Sequence, residues 1–177
     1  IRNLLFSRRI GKPLSLIAGL DYAAGDVVIV MDADLQDPPE LIADMLKKWA
    51  EGYDVVIAKR RSRKGEKPLY LMAARLFYIL YEKIAEVRIP QDTGDYRLMS
   101  ERVVNGIRQF RERHGFLRAL TASVGYNTTV IEYDRDPRLT GKTQISLLGA
   151  LNIALDGIVP FSRFPVRMIF VLGAFFS

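Results

Sequence analysis

Short apolar runs alternate with amphipathic stretches along most of the chain. Residues 27–31 form a continuous apolar run rich in β-branched side chains, which predicts a buried strand in a parallel sheet. Residues 38–51 carry apolar side chains at helical spacing, and residues 54–58 form a second apolar run. A helix within residues 1–24 precedes them. This order of helix, strand, helix and strand predicts a right-handed α/β unit.

The same alternation continues beyond the second strand. Helical spacing returns at residues 68–87, 100–113 and 116–124. Turn and strand signals occupy residues 91–99, and residues 128–133 alternate like an edge strand. The predicted fold class is therefore α/β, with a mixed, mostly parallel sheet flanked by helices.

Apolar residues concentrate towards the C-terminus. Residues 144–164 contain few charges and fit an amphipathic helix at a membrane interface. Residues 165–177 are mostly apolar, and we expect them to start a transmembrane helix, although a bilayer span needs about 20 residues. Arg163 and Arg167 then flank the cytoplasmic side of the membrane. A C-terminal core helix is the alternative.

Composition narrows the classes of partner. The 177 residues suffice for one domain with a core, and the absence of cysteine excludes disulfides and thiolate metal sites. The net charge of +6 suits phosphate-bearing substrates, an anionic membrane surface or nucleic acid. Residues 59–67 hold six basic side chains with no aromatic residues between them, so we predict no nucleic-acid partner. Because the first residues already have the pattern of a domain interior, we expect part of the domain to lie upstream of Ile1.

An acidic turn follows the first strand. Asp32 and Asp34 stand at the C-terminal end of that strand, where open α/β sheets place their ligand crevice. Together with Gln36 they offer the oxygen ligands that Mg²⁺ or Mn²⁺ prefers. Asp37 is the predicted N-cap of the next helix. The alternative is a solvated turn that only caps this helix.

Three further polar stretches are candidates for the same site. The basic residues 59–67 follow the second strand at the same sheet edge and suit an anion, or else form a solvated loop. Residues 91–99 combine acids, a glycine and an arginine, or else form an ordinary turn with a local Asp–Arg pair. Residues 135–143 are polar and basic and suit phosphate oxygens, or else form a plain surface loop.

These motifs, in this order, resemble the polyisoprenyl-phosphate glycosyltransferases, a membrane-anchored branch of glycosyltransferase family 2 with the GT-A fold. The branch includes dolichol-phosphate mannose synthases and bacterial undecaprenyl-phosphate sugar transferases. The resemblance covers nearly the whole chain and is carried by residues 32–40, 92–98 and 138–143. Gln144 stands where the family usually has a lysine, and Lys142 is the candidate substitute.

The resemblance implies inverting, metal-dependent transfer of a hexose or pentose from a nucleotide-diphosphate sugar to a polyprenyl (undecaprenyl or dolichyl) phosphate. It also implies an integral membrane protein with a cytoplasmic catalytic domain at residues 1–143, whose nucleotide-binding part begins upstream of Ile1. Homo-oligomer formation stays open. Two rival classes are a phosphatase or phosphotransferase with a nucleophilic Asp-x-Asp, and a non-catalytic module that binds anionic membranes.

The implied site has four groups of residues. The metal ligands for Mg²⁺ or Mn²⁺ are Asp32, Asp34 and Gln36. The donor contacts are Asp32, Arg138 and Lys142. The catalytic residues are Asp34, Asp95 and Arg97. The acceptor phosphate is held by Arg60, Arg61 and Arg75.

Overall fold

The computed structural model describes residues 3–34, 36–61, 79, 87, 89–90, 93–110, 116–134, 162 and 164–176. The chain forms two compact units, one of Ile1–Arg63 with Pro90–Gly141 and the other of Lys64–Ile89 with Lys142–Ser177. The predicted helix at 68–87 and the interfacial segment at 144–164 lie almost entirely outside the described residues, and the loop at 135–143 lies wholly outside them.

In the first unit, the helices and strands are α1 (Lys12–Tyr22), β1 (Val27–Val30), α2 (Leu41–Ala50), β2 (Val55–Arg60), β3 (Thr93–Ser100), α3 (Glu101–Gln109), α4 (Leu117–Ser123) and β4 (Thr128–Tyr133). Each confirms the type of element that the apolar spacing predicts, with ends that differ by a few residues. One such difference concerns the basic stretch at 59–67, because Lys59 and Arg60 belong to β2 and not to the loop after it.

The strands form a mixed sheet in the order β1-β3-β2-β4. β3 runs antiparallel to both β1 and β2, whereas β2 and β4 are parallel. β1, β2 and β4 therefore point in one direction, although only one of the three described pairings is parallel. The predicted mixed sheet is confirmed, but the parallel pairing expected for β1 is wrong. β3 comes from a distant part of the chain and lies between β1 and β2.

The two faces of the sheet are covered by different helices. α2 packs on one face, where Met45 meets Val56, Leu98, Tyr96 and Tyr133 in a buried core. α3 and α4 pack against β3 from the other side, and α1 lies on both of them. Consecutive residues of a strand point to opposite faces. Tyr96 thus faces α2, whereas the neighbouring residues of β3 face α1 and α4.

Two arginines of α3 stabilise the fold. Arg102 forms an ion pair with the buried Asp54 and lies 5.5 Å from the centroid of the Tyr126 ring. The hydrogen bond from Arg102 outweighs burial and keeps the pKa of Asp54 below its usual value. Arg108 donates to the carbonyl oxygens of Leu20 and Ala23, which end α1. The side chains of Arg102 and Arg108 therefore bind other groups of the fold.

In the second unit, the longest described element is α5 (Phe164–Phe176). Its 13 residues rise about 20 Å, which is less than the roughly 30 Å hydrocarbon layer of a bilayer. Across the described residues, no helix is both long and apolar enough to cross a membrane. The predicted start of a transmembrane helix at 165–177 lacks this support, and the prediction of an integral membrane protein is wrong.

Candidate active site

Three strand ends meet at one edge of the sheet in the first unit. Because β1 and β2 both run antiparallel to β3, the ends of β1 and β2 lie beside the start of β3. Val30 of β1 pairs with Arg97 of β3, so Asp32 and Asp95, each two residues further, lie at the same edge. This topology brings the acidic turn together with the second polar stretch, as well as with the basic residues that end β2.

β3 is irregular at this edge. Its pairing with β2 passes from Ile57–Arg97 to Lys59–Thr93, so a step of two residues in β2 matches a step of four in β3. β3 therefore bulges around Asp95. Bulges bend a strand and redirect its side chains, and they are common beside active sites. Here the bulge lies where Asp95 turns towards α1 and α4.

Lys12 joins the two acidic stretches. Its Nζ lies 2.7 Å from both carboxylate oxygens of Asp32 and 2.9 Å from Oδ2 of Asp95. Lys12 is the first residue of α1, and Gly11 before it has a φ of 81°, a conformation that favours glycine. Burial lowers the pKa of Lys12, but Asp95 and Asp32 raise it by more, so the ammonium keeps its proton.

Lys12 is missing from the residues that the sequence predicted. No local pattern marks it, since its partners lie 20 and 83 positions further along the chain. The only available signal was the Gly11-Lys12 pair at the start of a helix that packs near the sheet edge. That signal identifies a helix start and says nothing about which acids the lysine meets.

Asp95 is surrounded by positive charge. Besides Lys12, Arg118 of α4 donates from Nε to Oδ1 of Asp95 at 3.2 Å. Burial by itself raises the pKa of Asp95, but Arg118, Lys12 and Arg97 together lower it to about 2. Asp95 is therefore ionised at neutral pH. A carboxylate with so low a pKa is a weak proton acceptor and a strong acceptor of hydrogen bonds.

Arg97 lies inside the fold. It is 1 % exposed and donates from Nη2 to the carbonyl oxygen of Gly94 at 2.8 Å. Its charge contributes to the low pKa of Asp95. Arg97 therefore stabilises the bulge of β3 through Gly94, and its positive charge favours the ionised form of Asp95.

The acidic turn is held from both sides. Oδ1 of Asp34 accepts a hydrogen bond from the backbone N–H of Gln36 at 3.2 Å, and Gln36 is buried. Tyr96 donates its hydroxyl to the carbonyl oxygen of Pro38 at 2.8 Å. The side chain of Asp32 remains 28 % exposed, so the turn presents carboxylate oxygen at the edge while its base is fixed.

Asp37 does not cap α2 as predicted. α2 begins at Leu41, and its cap position is Glu40. Asp37 is buried and accepts a 2.7 Å hydrogen bond from the hydroxyl of Tyr133, the last residue of β4. The prediction was wrong because a tertiary partner on β4 takes the carboxyl group that the helix start would otherwise attract.

Tyr133 also contacts Arg60, the last residue of β2. Burial and the hydrogen bond to Asp37 raise the pKa of Tyr133 to about 12, whereas its hydrogen bond with Arg60 works in the opposite direction. A Cβ placed on Gly94 lies 3.2 Å from Nη2 of Arg60, so the missing side chain makes room for this guanidinium. Tyr133 thus links the acidic turn to the end of β2.

Replacing Tyr133 with Phe is expected to lower the free energy of unfolding by about 1–3 kcal/mol, because the buried Asp37 loses a hydrogen-bond donor. Urea unfolding at neutral pH measures this change. Tyr22→Phe, at a tyrosine that is 71 % exposed, is the matched control and is expected to change little. Equal free energies for the two variants contradict the link.

The predicted basic residues are distributed unevenly. Arg60 lies at the common edge, and Arg61 follows it with its guanidinium 2.9 Å from Oδ2 of Asp134. The remaining predicted contacts lie outside the described residues, namely Arg75, Arg138 and Lys142. The structure therefore brings Asp32, Asp34, Gln36, Asp95, Arg97 and Arg60 to one sheet edge, whereas Arg61 pairs with Asp134 after β4.

The donor atoms at this edge suit a hard divalent cation. Mg²⁺ is commonly bound by one or two carboxylates together with substrate phosphates. Asp32 and Asp34 offer two carboxylates on one short turn, and Asp32 already binds a cation in the form of the Lys12 ammonium. In the described part of the chain, no group of three or more acidic or histidine side chains stands ready to hold a metal by itself.

Comparison with known proteins identifies a family whose sequence pattern covers this sheet edge. The model of the family described as glycosyl transferase family 2 matches residues 2–108. The chain is 47 % identical over its full length to an uncharacterized glycosyltransferase of Synechocystis sp., of which it covers 56 %. It is 44 % identical over its full length to an uncharacterized glycosyltransferase of Bacillus subtilis, of which it covers 55 %.

A bactoprenol glucosyl transferase of Shigella phage SfV is 42 % identical over 172 residues, which are 97 % of this chain and 56 % of the phage protein. The chain therefore spans about half the length of the curated relatives that it matches. The family match includes α1, the acidic turn, β2 and β3, which together form the sheet edge described above.

Proposed function

Because this chain belongs to glycosyl transferase family 2, we propose that it transfers a hexose or pentose from a nucleotide-diphosphate sugar to a polyprenyl phosphate, with inversion. One observation carries the proposal. Asp32 and Asp95, from two separate motifs, meet at one sheet edge through Lys12. The named activity of the phage relative, a bactoprenol glucosyl transferase, supports a lipid acceptor and glucose as the first sugar to test.

On the donor side, Asp32 and Asp34 are the proposed ligands of Mg²⁺ or Mn²⁺, with Gln36 as the third. Such an ion, when bound, neutralises the charge that develops on a diphosphate leaving group. The hydrogen bond from the Gln36 N–H to Asp34 and the exposed edge of Asp32 support this role, since they orient carboxylate oxygens on a fixed turn. Arg138 and Lys142 are the proposed cationic contacts to the diphosphate.

Asp95 is proposed to bind hydroxyl groups of the transferred sugar. Its pKa of about 2 favours this role over that of a general base, because an ionised carboxylate accepts hydrogen bonds but holds a proton weakly. The positive charges of Arg97 and Arg118 favour the ionised form of Asp95, and the hydrogen bond from Arg118 orients its carboxylate. Arg97 is therefore proposed as a positioning residue within the catalytic group.

The proposed nucleophile is an oxygen of the lipid phosphate. The second pKa of a phosphomonoester is about 6, so this oxygen is largely ionised at neutral pH and needs no strong base. Positioning and charge neutralisation are then the main requirements. Arg60, Arg61 and Arg75 are the proposed contacts to the acceptor phosphate. Arg60 is the last residue of β2, at the same edge as Asp32, and Arg61 follows it.

The proposal is tested by incubating the full-length protein with UDP- and GDP-sugars, polyprenyl phosphate and Mg²⁺ or Mn²⁺. We expect sugar-dependent formation of a polyprenyl-phosphate sugar with release of nucleoside diphosphate. Hydrolysis of phosphate esters without sugar transfer supports the Asp-x-Asp phosphatase instead. Binding to anionic vesicles with neither reaction supports a non-catalytic module.

Arg75→Ala is expected to raise the KM for polyprenyl phosphate about tenfold or more while the donor KM changes less, since a lost charged contact to phosphate costs about 1.5–3 kcal/mol. Steady-state kinetics with each substrate varied in turn measure the two constants. Arg102→Ala is not a suitable control because Arg102 stabilises Asp54; Arg8→Ala, at an exposed arginine, serves better. A larger effect on the donor KM removes Arg75 from the acceptor site.

A further inference from the structure

Lys12 carries positive charge between the acidic turn and the bulge of β3. Its side chain is 50 % exposed, yet its ammonium contacts Asp32 and Asp95 within 3 Å. Each contact is a charge-assisted hydrogen bond, and the pair fixes the ammonium between the acidic turn and the bulge of β3. No role in the proposed transfer reaction accounts for this lysine.

The position of the Lys12 ammonium matters because of the charges around it. Two carboxylates at one edge repel each other, and a single positive charge between them offsets that repulsion. Both carboxylate oxygens of Asp32 lie at the contact distance of 2.7 Å, so Lys12 uses the same oxygens that a cation ligated by Asp32 requires. The ammonium and such a cation also repel each other.

We propose that Lys12 is an internal counter-ion that positions Asp32 against Asp95 and competes with a divalent cation for the Asp32 carboxylate. This inference rests on the proposed function, which assigns Asp32 as a metal ligand. It follows that Lys12 lowers the affinity of the acidic turn for a divalent cation, and that replacing Lys12 with an uncharged residue raises this affinity. Lys12 is thus a positioning residue for the two acidic motifs.

A nucleoside diphosphate changes this balance. Its phosphate oxygens supply additional ligands and negative charge, so the loss of one lysine charge matters less when the nucleotide is present. The effect of removing Lys12 on cation affinity is therefore expected to be larger without nucleotide than with it. A purely structural role for Lys12 predicts no such dependence on nucleotide.

The test measures Mn²⁺ binding to the full-length protein by the electron paramagnetic resonance signal of free Mn²⁺. Lys12→Met is expected to bind Mn²⁺ at least about tenfold more tightly than the natural protein when nucleotide is absent, because one repelling charge is removed. With a nucleoside diphosphate the difference is expected to shrink. Lys12→Arg keeps the charge and is expected to behave like the natural protein.

Lys47→Met is the matched control. Lys47 also pairs with an aspartate, Asp44, at 2.8 Å, but on the exposed surface of α2. This substitution removes the same charge away from the acidic turn and is expected to leave Mn²⁺ affinity unchanged. If Lys12→Met does not fold, Lys12→Gln removes the charge while keeping a hydrogen-bond donor, and the same increase is expected.

The outcomes separate the two claims. An unchanged or weaker Mn²⁺ affinity in folded Lys12→Met or Lys12→Gln overturns the inference, even if the natural protein transfers sugar. The expected increase in a protein that transfers no sugar supports the counter-ion and overturns the proposed function alone. Failure of every variant to bind Mn²⁺, with or without nucleotide, overturns the counter-ion together with the metal assignment.

Discussion

Asp34→Ala is expected to reduce sugar transfer by about 10²–10³-fold or more, because the proposed site loses one of the two carboxylates that would hold the divalent cation, and this cation would offset the charge on the leaving diphosphate. The measurement is the rate of polyprenyl-phosphate sugar formation by the full-length protein at saturating donor and Mn²⁺. We expect little recovery with excess Mn²⁺, since the alanine offers no oxygen to ligate the ion.

The control for this variant is Asp44→Ala. Asp44 is also an aspartate. Its side chain is more than half exposed, lies on α2 and pairs with Lys47. It is expected to leave the rate unchanged. Because Oδ1 of Asp34 also accepts the Gln36 N–H, the folding of both variants is checked by urea unfolding. Transfer by a folded Asp34→Ala at the natural rate contradicts the metal assignment.

Asp95→Asn is expected to lower the free energy of unfolding at pH 7 by about 2 kcal/mol and to reduce transfer as well. The ordinary pKa of 3.8 falls to about 2 in the folded protein, and each pH unit of this difference corresponds to about 1.4 kcal/mol. The side chain of Asp95 is only 16 % exposed, so solvent screens its partners weakly. Asparagine keeps the shape but removes the charge that Lys12 and Arg118 contact.

The pH dependence of this effect has a definite sign. Because folding lowers the pKa of Asp95, its ionised form stabilises the protein fully above about pH 4, and this stabilisation is lost as the pH falls towards 2. The difference between the natural protein and Asp95→Asn should therefore shrink over that range. Urea unfolding at several pH values measures it, with Asp44→Asn as the exposed control. A difference that stays constant down to pH 2 contradicts the ionised Asp95.

Some of this site followed from sequence alone. The apolar run at 27–31 and the helical spacing at 38–51 identified a strand and a helix with the acidic turn between them. Such periodicities report which side of an element is buried, and this information is local. They also predicted basic residues after the second strand at the same edge as the acidic turn. The common direction of β1 and β2 brings Arg60, which is the last residue of β2, to that edge.

The sequence was misleading where a local signal had a competing explanation. Asp37 resembles a helix cap, but its carboxyl group meets Tyr133 from another strand. The apolar residues of α5 suggested the start of a membrane span, but no helix within the described residues meets the length and hydropathy of a span. For Asp37, the local sequence identified the chemistry of the turn but not the tertiary partner of the carboxyl group.

The chain's sequence by itself determined the type and order of its elements and the chemistry of the acidic turn. Only the tertiary structure decided that β3 lies between β1 and β2, that its bulge directs Asp95 to the acidic turn, and that Lys12 joins the two. The physical reason is range. Periodicity and turn chemistry act over a few residues, whereas strand order and ion pairs depend on the packing of segments far apart in the chain.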